Sequence, residues 1–193
     1  VVPGGPMDWE LAYHPYSIPM VEPEFWNDAE TGLIKNNVSS PVVNMINLNV
    51  LTDYLQQPQF LMRSGKPRHV ILSEQGFTSQ SHSRGEVEEL QAAAIAYAYY
   101  LADSNPLIDA FIMSRQVDAP SEVAASCSFG LWSCDMSKPN DIVPTMRKQS
   151  WTVYKNIDDR KRTLETTEKY KKYIGIEKWS DVIPDFKWKS QEK

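Results

Sequence analysis

Glu74 is the residue whose placement most invites chemistry. It follows the apolar run Val70-Ile71-Leu72 and Ser73, and it precedes Gln75-Gly76-Phe77. A carboxylate at the end of a buried run is costly unless it is paired or opens into a solvated site. Two uses compete: a structural acid paired with Arg115, or a functional carboxylate. In the second use it serves as a nucleophile or as a general base. Two further polar clusters stand after apolar runs. One is His14-Pro15-Tyr16; the other is Ser114-Arg115-Gln116 with Asp118. His14 and Tyr16 share a face if the chain stays extended through Pro15, because alternate strand residues point the same way. His14 also fits a hydrogen-bonded core histidine, and Arg115 with Asp118 a local salt bridge. Trp132 offers a flat aromatic face and fits a core position as well.

Each cluster needs an element to hold it. The spacing predicts a strand over Trp9–Tyr13, stopped by Pro15, which has no N–H for a ladder. A long polar loop runs from Ser17 to about Val43. A helix from about Asn44 to Leu55 follows, with Leu48, Leu51 and Leu55 at helical spacing. The second strand, His69–Ser73, is apolar without alternation, as in a parallel strand buried on both faces. The helix from about Glu86 to Asp103 opens on Glu86, Glu88 and Glu89, which suit the positive end of its dipole. Its apolar stripe is Leu90, Ala94, Tyr97, Ala98 and Leu101. The third strand is Ile108–Met113, and a loop from Ala119 to Val143 carries Trp132 and both cysteines. Pro144 is expected to open a helix reaching about Ile157. A last helix, about Leu164–Ile174, ends at Gly175. The tail Trp179–Lys193 is expected to lie on the surface and to fray after Phe186.

Strand–helix alternation indicates an α/β chain with parallel strands and flanking helices. Three strands are too few for a (β/α)₈ barrel, which takes about 250 residues. The expectation is therefore one domain over 1–193, the C-terminal portion (about strands 6–8) of such a TIM barrel, with a helical extension over 164–193. Its outer strands would need covering, by a missing N-terminal barrel half or by a second copy in a homodimer.

Charge narrows the partners. The chain carries 20 Lys and Arg against 25 Asp and Glu, for a net charge of −5. No broad basic field exists for a nucleic-acid backbone. The mixed runs Asp158–Arg162 and Lys169–Lys193 read as solvated faces. No apolar run is long enough to span a membrane. Cys127 and Cys134 lie outside any CxxC spacing, and with three histidines a zinc site is not expected. They fit a local disulfide or two free thiols. No cofactor is expected. The compartment is left open; a secreted, periplasmic or cell-surface place is compatible.

The wider pattern resembles clan A glycoside hydrolases, barrel enzymes with a nucleophilic Glu ending the seventh strand. Members such as the family 5 cellulases place His-x-Tyr at the end of the sixth, and His14-Pro15-Tyr16 matches it. Across nearly the whole chain the sequence resembles an uncharacterised bacterial family of that clan, domain of unknown function 5722. The resemblance rests on Ala12-Tyr13-His14-Pro15-Tyr16, Leu72-Ser73-Glu74-Gln75-Gly76-Phe77, Gln91-Ala92-Ala93 and Gly130-Leu131-Trp132. It implies a retaining glycosidase of a β-linked glycan, with Glu74 as nucleophile and Tyr16 and His14 beside it. Gln75, Arg115, Asp118 and Trp132 would then bind substrate. The clan's acid/base Glu has no counterpart here, and Glu22 and Glu24 lie in the wrong element, so the chain alone is expected to be inactive. Two other readings stay open: a non-catalytic carbohydrate-binding or assembly module, and another barrel enzyme using Glu74 as general base.

Overall fold

A computed structural model describes residues 8–157, 159–183 and 186. The elements run β1 (Leu11–Tyr13), α1 (Leu48–Leu55), β2 (Val70–Gln75), β3 (Gln80–Ser81), β4 (Gly85–Glu86), α2 (Glu88–Ser104) and β5 (Ile108–Met113). They continue with α3 (Pro120–Val123), β6 (Trp132–Cys134), β7 (Pro144–Arg147), α4 (Gln149–Asn156), α5 (Arg160–Thr167) and α6 (Lys171–Ile174). Short 3₁₀ turns fill several of the connections.

β1, β2 and β5 form one parallel sheet in the order β1-β2-β5, with Tyr13, Leu72 and Phe111 side by side. Val70 and Leu72 are fully buried, whereas the alternate residues Ile71 and Ser73 are half-buried. The sheet therefore has one deeply covered face.

The barrel expectation is corrected. The domain is a small α/β unit: an open three-stranded parallel sheet with two small antiparallel pairs, β3-β4 and β6-β7. Among the described residues β1 and β5 each have a single ladder neighbour, so no barrel arc is made. The hairpins were missed because two- to four-residue strands carry almost no periodicity. Pro144 begins β7 rather than a helix; the helix starts five residues later, at Gln149. The expected helix over Leu164–Ile174 is split into α5 and α6 by a 3₁₀ turn at Glu168–Tyr170. It does end at Gly175, whose φ of 78° gives the left-handed cap that glycine adopts without strain. The fraying expected after Phe186 falls outside the described residues.

α2 is buried nearly all round from Gln91 to Ala98, not on one stripe. Its alanines allow close approach of the sheet on one side and α4 on another. The polar loop after β1 is pinned by an aromatic anchor: Phe25 is fully buried, with ring centroids 5.4 Å from Phe77 and 5.0 Å from Tyr97. Tyr97 and Tyr100 lead on to Trp179, so α2 ties that loop to the C-terminal turn.

Asp28 fixes the same loop from within. It is buried and accepts hydrogen bonds from the Ile18 N–H at 2.8 Å and from the Asn44 amide. Burial outweighs these two donors and pushes its carboxyl up to about 7. A raised carboxyl pKa means that the folded chain holds a proton the unfolded chain has lost. Its stabilising effect is complete below about pH 4 and is lost as pH rises through about 7. Asp28→Asn keeps an acceptor oxygen but removes this dependence. The variant should gain on the wild type by up to about 1.4 kcal/mol per pH unit between those limits. Thermal melts from pH 4 to 8 check this; parallel curves would show Asp28 to be ionised throughout.

Candidate active site

The C-terminal ends of β1 and β2 bring the first two clusters together. The Tyr16 phenol donates to Glu74 Oε1 at 2.8 Å, across 58 residues of sequence. Both side chains are half-buried, so the pair is reachable from solvent. Desolvation, reinforced by the Glu74 charge and opposed by the Ser114 hydroxyl, pushes the phenol up to about 12. It therefore keeps its proton and acts as a donor at neutral pH. Its ring lies 5.5 Å from that of Phe129. A Cβ on Gly76 would come within 2.9 Å of Phe129 and 2.8 Å of the Ser114 hydroxyl. Glycine is thus required where the strand leaving Glu74 passes under the residues that flank Tyr16.

His14 is exposed and does not hydrogen-bond Glu74. Its Nε2 lies 3.1 Å from the hydroxyl of Ser73, the residue before Glu74. Gln75 is fully buried, and its amide donates to the Ile112 carbonyl, joining β2 to β5. It has no exposed surface with which to meet a substrate.

Arg115 pairs with neither Glu74 nor Asp118. Its guanidinium grips both carboxylate oxygens of Glu122, with Tyr16 and Glu74 close enough to add to its charge stabilisation. Asp118 is buried and turned inward. It accepts from the Gly130 N–H at 2.7 Å, the Ser128 hydroxyl at 2.7 Å and Lys148 Nζ at 2.7 Å. It is a scaffold acid that holds the loop carrying Phe129. Trp132, in β6, is half-buried with Arg147 over its ring at 4.9 Å. Among the described residues no hydrogen bond joins it to Glu74. Glu22 and Glu24 both hold Arg84, and Glu22 also accepts from Ser81 and Ser83, which clamps the loop after β1 to the β3-β4 hairpin.

Sequence reasoning misses two contributors, Phe129 and the partner acid Glu122. Glu122 lies seven residues after Arg115, so a loop ion pair was legible in principle. Gln91 is a further support. Its amide nitrogen donates to the Phe77, Ser128 and Gly130 carbonyls, and its oxygen accepts from Ser150. One buried side chain thereby ties the exit of β2 to the Phe129 loop and to α4.

Among the described residues no group of three or more His, Cys, Asp or Glu could hold a metal ion. None of their helices is long and apolar enough to cross a membrane. The model described as a family of unknown function (DUF5722) matches residues 2–182. The match names neither an activity nor a glycosidase clan. No curated protein and no solved structure matches.

Proposed function

We propose, from the premise that the chain belongs to the DUF5722 family of unknown function, that it carries the nucleophile of a retaining glycoside hydrolase. The carrying observation is the Tyr16–Glu74 contact at a strand end, with its carboxylate open to solvent. The pattern His14-Pro15-Tyr16 with Ser73-Glu74 adds the likeness to clan A enzymes. In the proposed first step a Glu74 oxygen attacks the anomeric carbon. A carbon–oxygen ester bond forms, and the bond to the leaving oxygen breaks, with its electron pair departing on the aglycone. Tyr16 holds the attacking carboxylate in place by its hydrogen bond to Oε1, and His14 meets Ser73, the residue before it.

Natural leaving groups need a proton from a second carboxyl, about 5–5.5 Å from the first in retaining enzymes. Glu122 is the other acid of this neighbourhood, but Arg115 occupies both of its oxygens. The proposal therefore assigns the proton donor to polypeptide other than the residues described.

That division suggests the test. A 2,4-dinitrophenyl leaving group departs as a stable anion and needs no acid. Incubating the chain with a panel of 2,4-dinitrophenyl 2-deoxy-2-fluoroglycosides should leave one glycosyl group on the peptide containing Glu74, read by mass spectrometry. Glycans that bind without any adduct would make this a binding module instead. An adduct on another acid would move the nucleophile elsewhere.

A further inference from the structure

We propose that Glu122 is a decoy carboxylate: it holds the Arg115 guanidinium away from Glu74 and so leaves the nucleophile's charge free to attack. The inference rests on the glycosidase reading of Glu74 and adds a positioning residue to that site. The sheet brings Arg115 and Glu74 into one neighbourhood. Each is one residue from a strand-to-strand hydrogen bond, the Ser114 N–H to the Gln75 carbonyl at 2.8 Å. A Cβ on Gly76 would lie 2.8 Å from the Ser114 hydroxyl, so the two strand ends pass in close contact. The Glu122 hydrogen bonds are the largest influence raising the Arg115 guanidinium above its usual pKa, and the charges of Tyr16 and Glu74 add to it.

A guanidinium fork matches the two oxygens of a carboxylate, so an arginine in this place has two acids to choose between. The fork closes on Glu122, in the first turn of α3: Nε donates to Oε2 and Nη2 to Oε1. Among the described residues no ion pair joins Arg115 to Glu74. Glu74 keeps one oxygen for the Tyr16 phenol at 2.8 Å, and the other accepts no hydrogen bond among the described residues. That second oxygen is the one free to form a bond. A fork turned onto Glu74 would cover it, compete with Tyr16 for the first, and neutralise the charge that an attack uses. The Arg115–Glu122 pair is neutral as a unit and leaves that charge alone.

The test removes the decoy. In Glu122→Gln the guanidinium loses its anion, and Glu74 is the other carboxylate whose charge reaches it. A crystal structure of this variant should show Arg115 within hydrogen-bond distance of Glu74. Its kcat on 2,4-dinitrophenyl glycosides should fall about tenfold or more, the scale of one hydrogen bond to a charged group, with KM little changed. Arg115→Met/Glu122→Gln removes the intruding cation as well, and its kcat should return to within about threefold of the wild type. Side-chain exposures of 33% and 32% mean that neither variant strands a buried charge. A pair that only braced the loop would give the opposite order, with the double variant as slow as the single one or slower. That order, an Arg115 that stays away from Glu74 in Glu122→Gln, or a rate there equal to a measurable wild-type rate would each overturn the decoy. If no protein of the set released dinitrophenol or formed an adduct while Arg115 still moved onto Glu74, the glycosidase reading alone would fall, and Glu122 would stand as the group that keeps the two apart.

Discussion

Glu74→Gln is expected to suppress release of dinitrophenol from activated glycosides by on the order of 10³-fold or more, the scale seen when a covalent nucleophile is removed. The substitution keeps an oxygen where Tyr16 donates, so the 2.8 Å hydrogen bond and the local fold should survive. Far-UV dichroism and melting temperature should be unchanged. The loss then reports chemistry, not collapse. An unaltered rate in Glu74→Gln would reject the nucleophile outright. Tyr16→Phe should behave differently. It removes one hydrogen bond to a charged group, worth about 1.5–3 kcal/mol, or roughly ten- to a hundredfold in rate. Its ring still packs 5.5 Å from Phe129. If Tyr16→Phe instead matched Glu74→Gln in severity, the phenol itself would be taking part in the reaction.

Lys148→Met should produce the largest loss of stability. Lys148 and Asp118 are both buried, at 3% and 2% exposure, and their charged atoms are 2.7 Å apart. Desolvation lowers the Lys148 amine below its usual value, against the opposing pull of Asp118. Removing the cation strands an acid that has no route to water. Breaking such a pair from one side costs about 3–5 kcal/mol. At roughly 2–4 °C per kcal/mol for a chain of this size, the melting temperature should fall by about 6–20 °C. Lys148→Met/Asp118→Asn should recover part of this, because the stranded charge is gone; the double-mutant cycle measures the coupling. A single-variant cost below about 1 kcal/mol would place the pair in water-like surroundings. The effect should reach the site as well. Asp118 fixes Ser128 and Gly130 on either side of Phe129, which flanks Tyr16. A Cβ on Gly130 would lie 2.3 Å from the Asp118 backbone nitrogen, so this joint tolerates no larger residue.

Much of the site's framework was written in local pattern. The run Val70-Ile71-Leu72 predicts a buried strand, and β2 follows it as far as Gln75. Alternation through Pro15 predicts that Tyr16 faces the same way as His14. The two do lie at one strand end, Tyr16 on Glu74 and His14 on the adjacent Ser73. Helix α2 and its Glu-rich start are legible too: a seventeen-residue alanine-rich segment is too long for a strand and carries its own helical propensity. The large-scale expectation failed where the pattern is silent. Parallel strands and helices are shared by open sheets and closed ones, and short hairpins leave no period, so a barrel portion could not be told from an open sheet.

What the sequence by itself determined is therefore the three sheet strands, the long helix α2 and the carboxylate at the end of a buried strand, because an apolar run and its interruption are local properties. Tertiary structure alone decided the partners. It gave Arg115 to Glu122 and Asp118 to Lys148, sank Phe25 into the core, and set Gln91 among three carbonyls. Which charge meets which is settled by how much water each pair loses and how near the packed backbones bring them. Neither quantity exists before the chain has folded.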